Sequence, residues 1–578
     1  MSPERFSAAS SLVLILTVGL TMRLGAAGAD VADAVMRGDT AAVRALLSQK
    51  ADVNATQADG ATALHWAVYR GDLVLADLLI RAGADHRIAN RDGVTPLSLA
   101  SSNGNAALVA ALLEAGANPN EPLPTGKTNL MLAARAGNPQ AVMALLDAGA
   151  DVNAREGLRG TTALMWAADR ARPDAVKLLV ERGADVRARS NPAPPGRRAR
   201  LGKSGDPRKA VAAQGAALAA GKALDLNALD AVGGSRGLTR AVAGAPTAPT
   251  APTAPPEPAE PAQATTGELT ALVYAVRSND LESVKILLAA GADVNQRTGY
   301  GWSPLLVATQ NRYYKLASFL IDRGADPNLA NNGGWTPLYL ATDNRNIENG
   351  DYPVRKADMD HLEFITLLLD RGADVNARVK DSTETRTVFT DQWLDEDGAT
   401  AFFRASQSGD VVLMRLLLAY GADPKINTVL NVTPLQAAAG IGWVEGITFE
   451  WSEAASVEAV KLLLALGLDP NTQADTGRTA LHGAAHKGRP AVIQLLADAG
   501  ANLGVRDYGN TDNRGGKLAV HTWQAVDYAD GLVRVGVQSA IAHPDAGLLL
   551  RKLMIQAGLE APPMGRTLES ICITEACE

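Results

Sequence analysis

The 578-residue sequence predicts an all-α solenoid of about twelve helix–turn–helix units in two blocks. Three observations carry that expectation. The phrase Gly-Ala-Asp closes one segment after another, as in Gly149-Ala150-Asp151-Val152-Asn153, Gly291-Ala292-Asp293-Val294-Asn295 and Gly372-Ala373-Asp374-Val375-Asn376. Its spacing is nearly constant: 33 residues separate Gly83 from Gly116, Gly116 from Gly149, and Gly291 from Gly324. The composition suits thin, closely packed helices, being 47% hydrophobic but only 4% aromatic.

The elements follow in chain order. Residues 1–29 have the layout of an export signal, with Arg5, an apolar run from Ala8 to Met22, and small residues at Ala27-Gly28-Ala29 before Asp30. That run is shorter than the roughly 20 residues a membrane-spanning helix needs. Export to a periplasm or the extracellular space is therefore expected, with membrane attachment only if the segment is retained. The signal style and the Ala/Pro-rich composition point to a bacterial chain.

Within a unit, Asp92-Gly93-Val94-Thr95-Pro96-Leu97 shows how the first helix opens. Thr supplies a cap, and Pro lacks the N–H that a first helical position leaves unpaired. Gly71 or Gly104 breaks between two short helices. The second helix carries apolar residues at helical spacing, as in Leu73-Val74-Leu75-Ala76-Asp77-Leu78-Leu79. A Gly such as Gly83 ends it as a left-handed cap.

This unit resembles the ankyrin repeat in its period and in its approximation to T-P-L-H-x-A: Ala63-Leu64-His65-Trp66-Ala67, Thr336-Pro337-Leu338 and Thr479-Ala480-Leu481-His482. The resemblance covers residues 30–190 as a first block and 267–562 as a second, followed by a tail, 563–578. Three units of the second block exceed the period. Arg345–Asp360 and Gly442–Ser456 interrupt helix pairs, the latter with Trp443 and Trp451; Val379–Glu396, carrying Trp393, interrupts a turn between repeats.

Residues 191–266 fit no repeat. Their first half is basic, with Arg197, Arg198, Arg200, Lys203, Arg208 and Lys209, and their second half is Pro/Ala-rich, so a disordered linker is expected. Cys572 and Cys577, in the tail, are the two cysteines of the chain and are expected to form a disulfide in an oxidising compartment.

Catalytic signatures are not evident: no G-x-x-x-x-G-K-[ST] phosphate loop occurs. The net charge of −7 argues against nucleic acid as partner. His65 and His482 occupy the His slot of the helix opening, where the ring satisfies local backbone groups. His482 and His486 lie four apart, but Gly483 stands where a zincin motif has Glu, so no metal and no cofactor are expected.

The resemblance implies a protein partner bound on a concave face formed by turn tips and first-helix ends. It points to Trp302 and Trp335 at turn tips, and to Tyr69, Arg70, Arg135, Arg170, Arg277, Gln310, Asn311, Asp343, Asn344, His486 and Lys487 at helix ends. Each tip tryptophan either anchors the partner or packs on its neighbouring turn. Trp66 and Trp166 are expected in the inter-repeat core. The function so implied is a non-catalytic interaction scaffold, with the three insertions as specificity loops. Two alternatives stand beside it: an enzyme or ligand-binding protein whose site the insertions form, and an envelope tether in which the linker spaces two binding blocks.

Overall fold

The computed structural model describes residues 29–193, 266–346, 355–380, 394, 396–443, 449–508, 510–512, 519–533 and 541–567. The export signal up to residue 28, most of the linker, Trp393 and the Cys572–Cys577 pair lie outside the described residues. Two compact units result: one holds 29–193 with Gly267–Asp293, the other begins at Val294.

In the first unit six helix pairs stack: Asp30–Arg37 with Thr40–Ser48, Ala63–Tyr69 with Leu73–Arg81, Pro96–Asn103 with Ala106–Glu114, Asn129–Ala136 with Pro139–Asp147, Ala163–Asp169 with Pro173–Glu181, and Ala271–Arg277 with Leu281–Ala289. The second unit also has six: Pro304–Gln310 with Tyr314–Asp322, Pro337–Arg345 with His361–Asp370, Ala401–Gln407 with Val411–Ala419, Pro434–Ala439 with Glu453–Ala465, Ala480–His486 with Pro490–Asp498, and Ala525–Ala529 with Pro544–Gln556. A short antiparallel pair, Asn510–Asp512 with Ala519–His521, decorates the last long turn.

The local causes recur from pair to pair, except in the first, whose first helix follows Ala29 without a side-chain cap and whose second helix ends at Lys50, φ 59°, in place of glycine. The residue before the first helix is extended and caps it: Thr95 accepts from the Ser98 N–H, Thr128 from Met131, Thr336 from Tyr339. The second helix buries a stripe such as Leu108, Val109 and Leu112 against its partner. It ends at a glycine with positive φ, 92° at Gly83 and 87° at Gly149. A Cβ at either place would meet nothing within 4 Å, so the backbone conformation alone selects glycine there.

The repeated phrase also joins neighbours. Asn120 donates from Nδ2 to the Gly149 carbonyl at 2.8 Å and accepts from the Asp151 N–H at 2.8 Å. Asn376 does the same to Gly421 and Asp423, at 3.1 and 2.8 Å. The Asn four residues after the closing glycine is thus a staple to the next repeat's cap, beyond the turn role that its position suggests.

The expected division of the array at the linker does not match the packing. Ala271–Arg277 lies against Ala163–Asp169, and Leu281–Ala289 against Pro173–Glu181, all within the first unit. The fit is a core fit: Leu272, Ala275 and Val276 are buried. The ends of the excursion are pinned, with the Ser190 N–H donating to Leu269 O at 2.9 Å, Leu269 N–H donating to Ser190 Oγ at 2.9 Å, and Arg189 paired with Glu268 at 2.8 Å. The repeats on either side of the linker are therefore consecutive in one stack.

Candidate interaction faces

In the first unit the first helix of each pair turns one side away from its partner. Helix Ala63–Tyr69 buries Ala63, Leu64, His65, Ala67 and Val68, which leaves Trp66, Tyr69 and the following Arg70 on the open side at the i, i+3, i+4 spacing of one helical face. The corresponding places are Leu99 and Ser102, then Leu132 and Arg135, then Trp166, Asp169 and Arg170, then Tyr274 and Arg277. Tyr69 is 65% exposed, and Trp66, Leu99, Leu132 and Trp166 are half-buried.

The tryptophans are fixed. Trp66 Nε1 donates to Gln57 Oε1 at 2.6 Å, and its ring meets Tyr69 edge-on at 5.7 Å. Trp166 Nε1 donates to Thr161 Oγ1 at 2.8 Å, and the Arg135 guanidinium lies 5.5 Å from the Trp166 ring. Arg277 lies 4.9 Å from the Tyr274 ring and pairs with Asp169 at 2.5 Å. Trp66 and Trp166, expected in the core, are corrected to this open face; their place one turn from Tyr69 and Arg170 on the same helix is the signal that would have found them. Tyr69, Arg70, Arg135, Arg170 and Arg277 are exposed here.

His65 caps rather than catalyses. Its Nδ1 accepts from the Thr62 N–H at 3.1 Å and its Nε2 contacts Val94 O at 2.9 Å, joining two repeats. Burial holds its pKa below the usual histidine value, against the pull of the Val94 hydrogen bond and Asp59. His482 repeats the arrangement with Thr479 and with Trp523 O at 3.1 Å.

The second unit treats the same face differently. On its first pair Gln310 is exposed, and Asn311 and Trp302 are half-buried. Asp343, Asn344, His486 and Lys487, expected to be accessible, are buried, and Trp335 is 0% exposed. Trp335 sits edge-on to Tyr339 at 4.9 Å, under a turn that the insertion's start crosses: Lys380 N–H donates to Gly333 O at 2.8 Å. These five are therefore removed from the accessible face. The cause is the insertions, whose flanks fold onto the first helices.

The covering contacts are polar and well paired. Arg404, 0% exposed, donates from Nε to Asp343 Oδ1 at 2.9 Å, from Nη1 to Ser408 Oγ at 2.7 Å, and from Nη2 to the Asn346 carbonyl. Trp451 donates from Nε1 to Asn346 Oδ1 at 2.8 Å, while Arg345 lies 4.6 Å from its ring and pairs with Asp410 at 2.7 Å. Glu450 receives Lys487 at 2.8 Å, Arg489 at 2.8 Å and the Ser456 hydroxyl. Burial would raise the Glu450 pKa, but Lys487, Ser456 and Arg489 together hold it below the usual carboxylate value. Trp443 meets His486 edge-on at 6.4 Å, and burial pushes the His486 pKa down to about 4.

The described flank of the Gly442–Ser456 insertion thus packs on the face beneath it through Glu450 and Trp451. Sequence reasoning missed Glu450, Asn346 and Asp410, because nothing local announces which buried charge each meets. A polar cleft of about 490 Å³ lies instead between turn tips, lined by Arg297, Asn328, Asn331, Asn332 and Lys380. Among the described residues no group of three His, Cys, Asp or Glu side chains is placed to hold a metal ion, and no helix is long and apolar enough to cross a membrane.

Family models for ankyrin repeats match residues 31–122, 108–190 and 272–379 as three-copy arrays, and 452–497 as a further repeat segment. Together they cover more than half of the chain. The chain belongs to the ankyrin-repeat family. Among curated proteins it is similar to protein phosphatase 1 regulatory subunit 27 of Homo sapiens and of Mus musculus, at 47% identity over 49 residues in each case. That is 8% of this chain and 32% of either relative, so the chain spans about a third of the length of these relatives. Family membership carries the coarse function: these repeats are interaction modules.

Proposed function

We propose that this protein is a non-catalytic scaffold that captures a protein partner on the first-helix face of its first unit. One observation supports this above the rest. Two immobilised tryptophans, Trp66 and Trp166, share one open face with exposed Tyr69 and a row of exposed arginines, and Trp, Tyr and Arg are the residue types that dominate binding hot spots. On the equivalent face of the second unit Asp343, Asn344, His486 and Lys487 are buried, and the described flanks of the chain's own insertions contribute to that cover. The relatives' name associates such repeats with a phosphatase, but a match of 49 residues transfers no partner to this chain.

Residues 1–29 support export, and the proposed site of action is the periplasm or the extracellular space; N-terminal sequencing of the mature protein tests this, with Asp30 as the expected first residue. The binding face is tested by capture from envelope extract. Trp66→Ala/Trp166→Ala should weaken retention of the partner by about 2 kcal/mol, roughly thirtyfold. Undiminished capture by that variant, with its helicity intact by circular dichroism, overturns the assignment.

A further inference from the structure

We infer that the first unit's open face is built for an acidic, extended segment carrying apolar side chains about three residues apart. The inference rests on the reading of that face as the docking surface and adds the chemistry of what docks there.

Charge is the first argument. The chain as a whole is acidic, at −7, yet the helix ends on this face present Arg70, Arg135, Arg170 and Arg277. The carboxylate in their row, Asp169, is already taken by Arg277 at 2.5 Å, with Arg170 at 3.7 Å. Among the described residues Arg70 and Arg135 have no carboxylate partner: Arg70 donates one nitrogen to Met36 O at 3.3 Å, and Arg135 rests over Trp166. Nearby acids are committed to their own turns, Glu156 accepting from the Leu158 and Arg159 N–H groups and Asp59 from Ala61. A guanidinium presents a planar fork that matches a carboxylate, so a row of arginines selects acidic side chains more sharply than lysines would.

Spacing is the second argument. Trp66, Leu99, Leu132 and Trp166 occupy one place on four successive first helices. Packed helices lie roughly 10 Å apart, and an extended chain advances about 3.3 Å per residue. Every third residue of an extended segment therefore meets one anchor. Both indole N–H groups are satisfied internally, at 2.6 and 2.8 Å, so the rings offer apolar surface and ask for no acceptor.

The test uses the full chain and a fluorescein-labelled peptide of four Glu-Glu-Leu repeats, read by anisotropy at pH 7. Its controls are the Gln-Gln-Leu and Lys-Lys-Leu counterparts. The acidic peptide is expected to bind at least tenfold more tightly than the Gln peptide in 50 mM salt, with the ratio shrinking severalfold in 500 mM salt as charges are screened. Arg135→Gln/Arg170→Gln should bring the ratio toward one, while Arg135→Lys/Arg170→Lys should keep part of it. Trp66→Ala/Trp166→Ala should weaken both peptides. Equal binding of the acidic and Gln peptides, a salt-independent ratio, or a ratio that survives Arg135→Gln/Arg170→Gln overturns the inference; the salt arm decides it even if those variants fail to fold. If the tryptophan variant still weakens binding while the acidic preference is absent, the docking face stands and only its chemistry is wrong. If the tryptophan variant changes nothing, the face itself is wrong.

Discussion

The two units use the same repeat and leave its first-helix face in opposite states. In the first unit that face holds exposed Tyr69 and Arg135 and half-buried Trp66 and Trp166. In the second, Asp343, His486 and Lys487 stand at comparable helix ends but are buried. A regular array thus supplies the same helix face twice, and its burial differs where segments outside the period pack on it. In the second unit the described flanks of the longer intervals fold back onto these polar groups, including those of the 33-residue repeat that carries His486 and Lys487, where Glu450 meets Lys487.

The largest expected effect comes from breaking that cover. Glu450→Ala leaves Lys487, 3% exposed, with Ser456 Oγ at 3.3 Å but without its carboxylate. Stranding a buried charge typically costs about 3–5 kcal/mol, because desolvation is no longer offset. Asp169→Ala removes an ion pair from the open face of the first unit, where solvent screens it, and should cost about 1 kcal/mol or less. Denaturant unfolding followed by hydrogen exchange on peptides from each unit measures both. Comparable costs would show that the two faces do not differ in burial.

Acid should separate the units next. Burial holds His361 and His486 at about 4, against the ordinary value of 6.5. Because the folded value lies below the unfolded one, the unfolded chain binds more protons between them. Their stabilising contribution is therefore complete above pH 6.5 and is lost as pH falls toward 4. At pH 5 the carboxylates remain largely ionised, and the second unit should have lost on the order of 4 kcal/mol relative to pH 7.5, about 2 from each histidine. His65 is also depressed by burial, so the first unit shifts in the same direction through one histidine. Hydrogen exchange at the two pH values, corrected for intrinsic rates, should show the larger loss of protection after Val294. An equal loss in both units would contradict the difference drawn here.

The smallest effect is one the units should share. Asn120→Ala and Asn376→Ala each remove two inter-repeat hydrogen bonds, in the first and second unit respectively. Each should cost about 1–2 kcal/mol. Matching values would confine the contrast between units to the first-helix face.

The array itself was legible in the sequence because each repeat is specified by short-range chemistry. Thr caps, positive-φ glycines and apolar stripes act within about ten residues, and the period exposes them. The face was legible only in part. Trp302 and Trp335 look alike, each standing before Ser-Pro or Thr-Pro, yet one is half-buried and the other fully buried because Lys380 and its neighbours cross the second turn. Trp66 and Trp166 look like core residues until the helical phase of Ala63–Tyr69 is worked through. The join between Ser190 and Leu269 was hidden by the length of the segment between them. Contacts of this kind depend on where a long insertion returns, and no local pattern encodes the return.

Hydroxyl-radical footprinting of the full chain, with and without the Glu-Glu-Leu peptide, tests the central claim most directly. The account predicts strong oxidation of Trp66, Tyr69 and Trp166 in the free chain, protection of all three by the peptide, and an unreactive Trp335 in both samples. Oxidation of Trp335 in the free chain, or protection confined to residues after Val294, would contradict it.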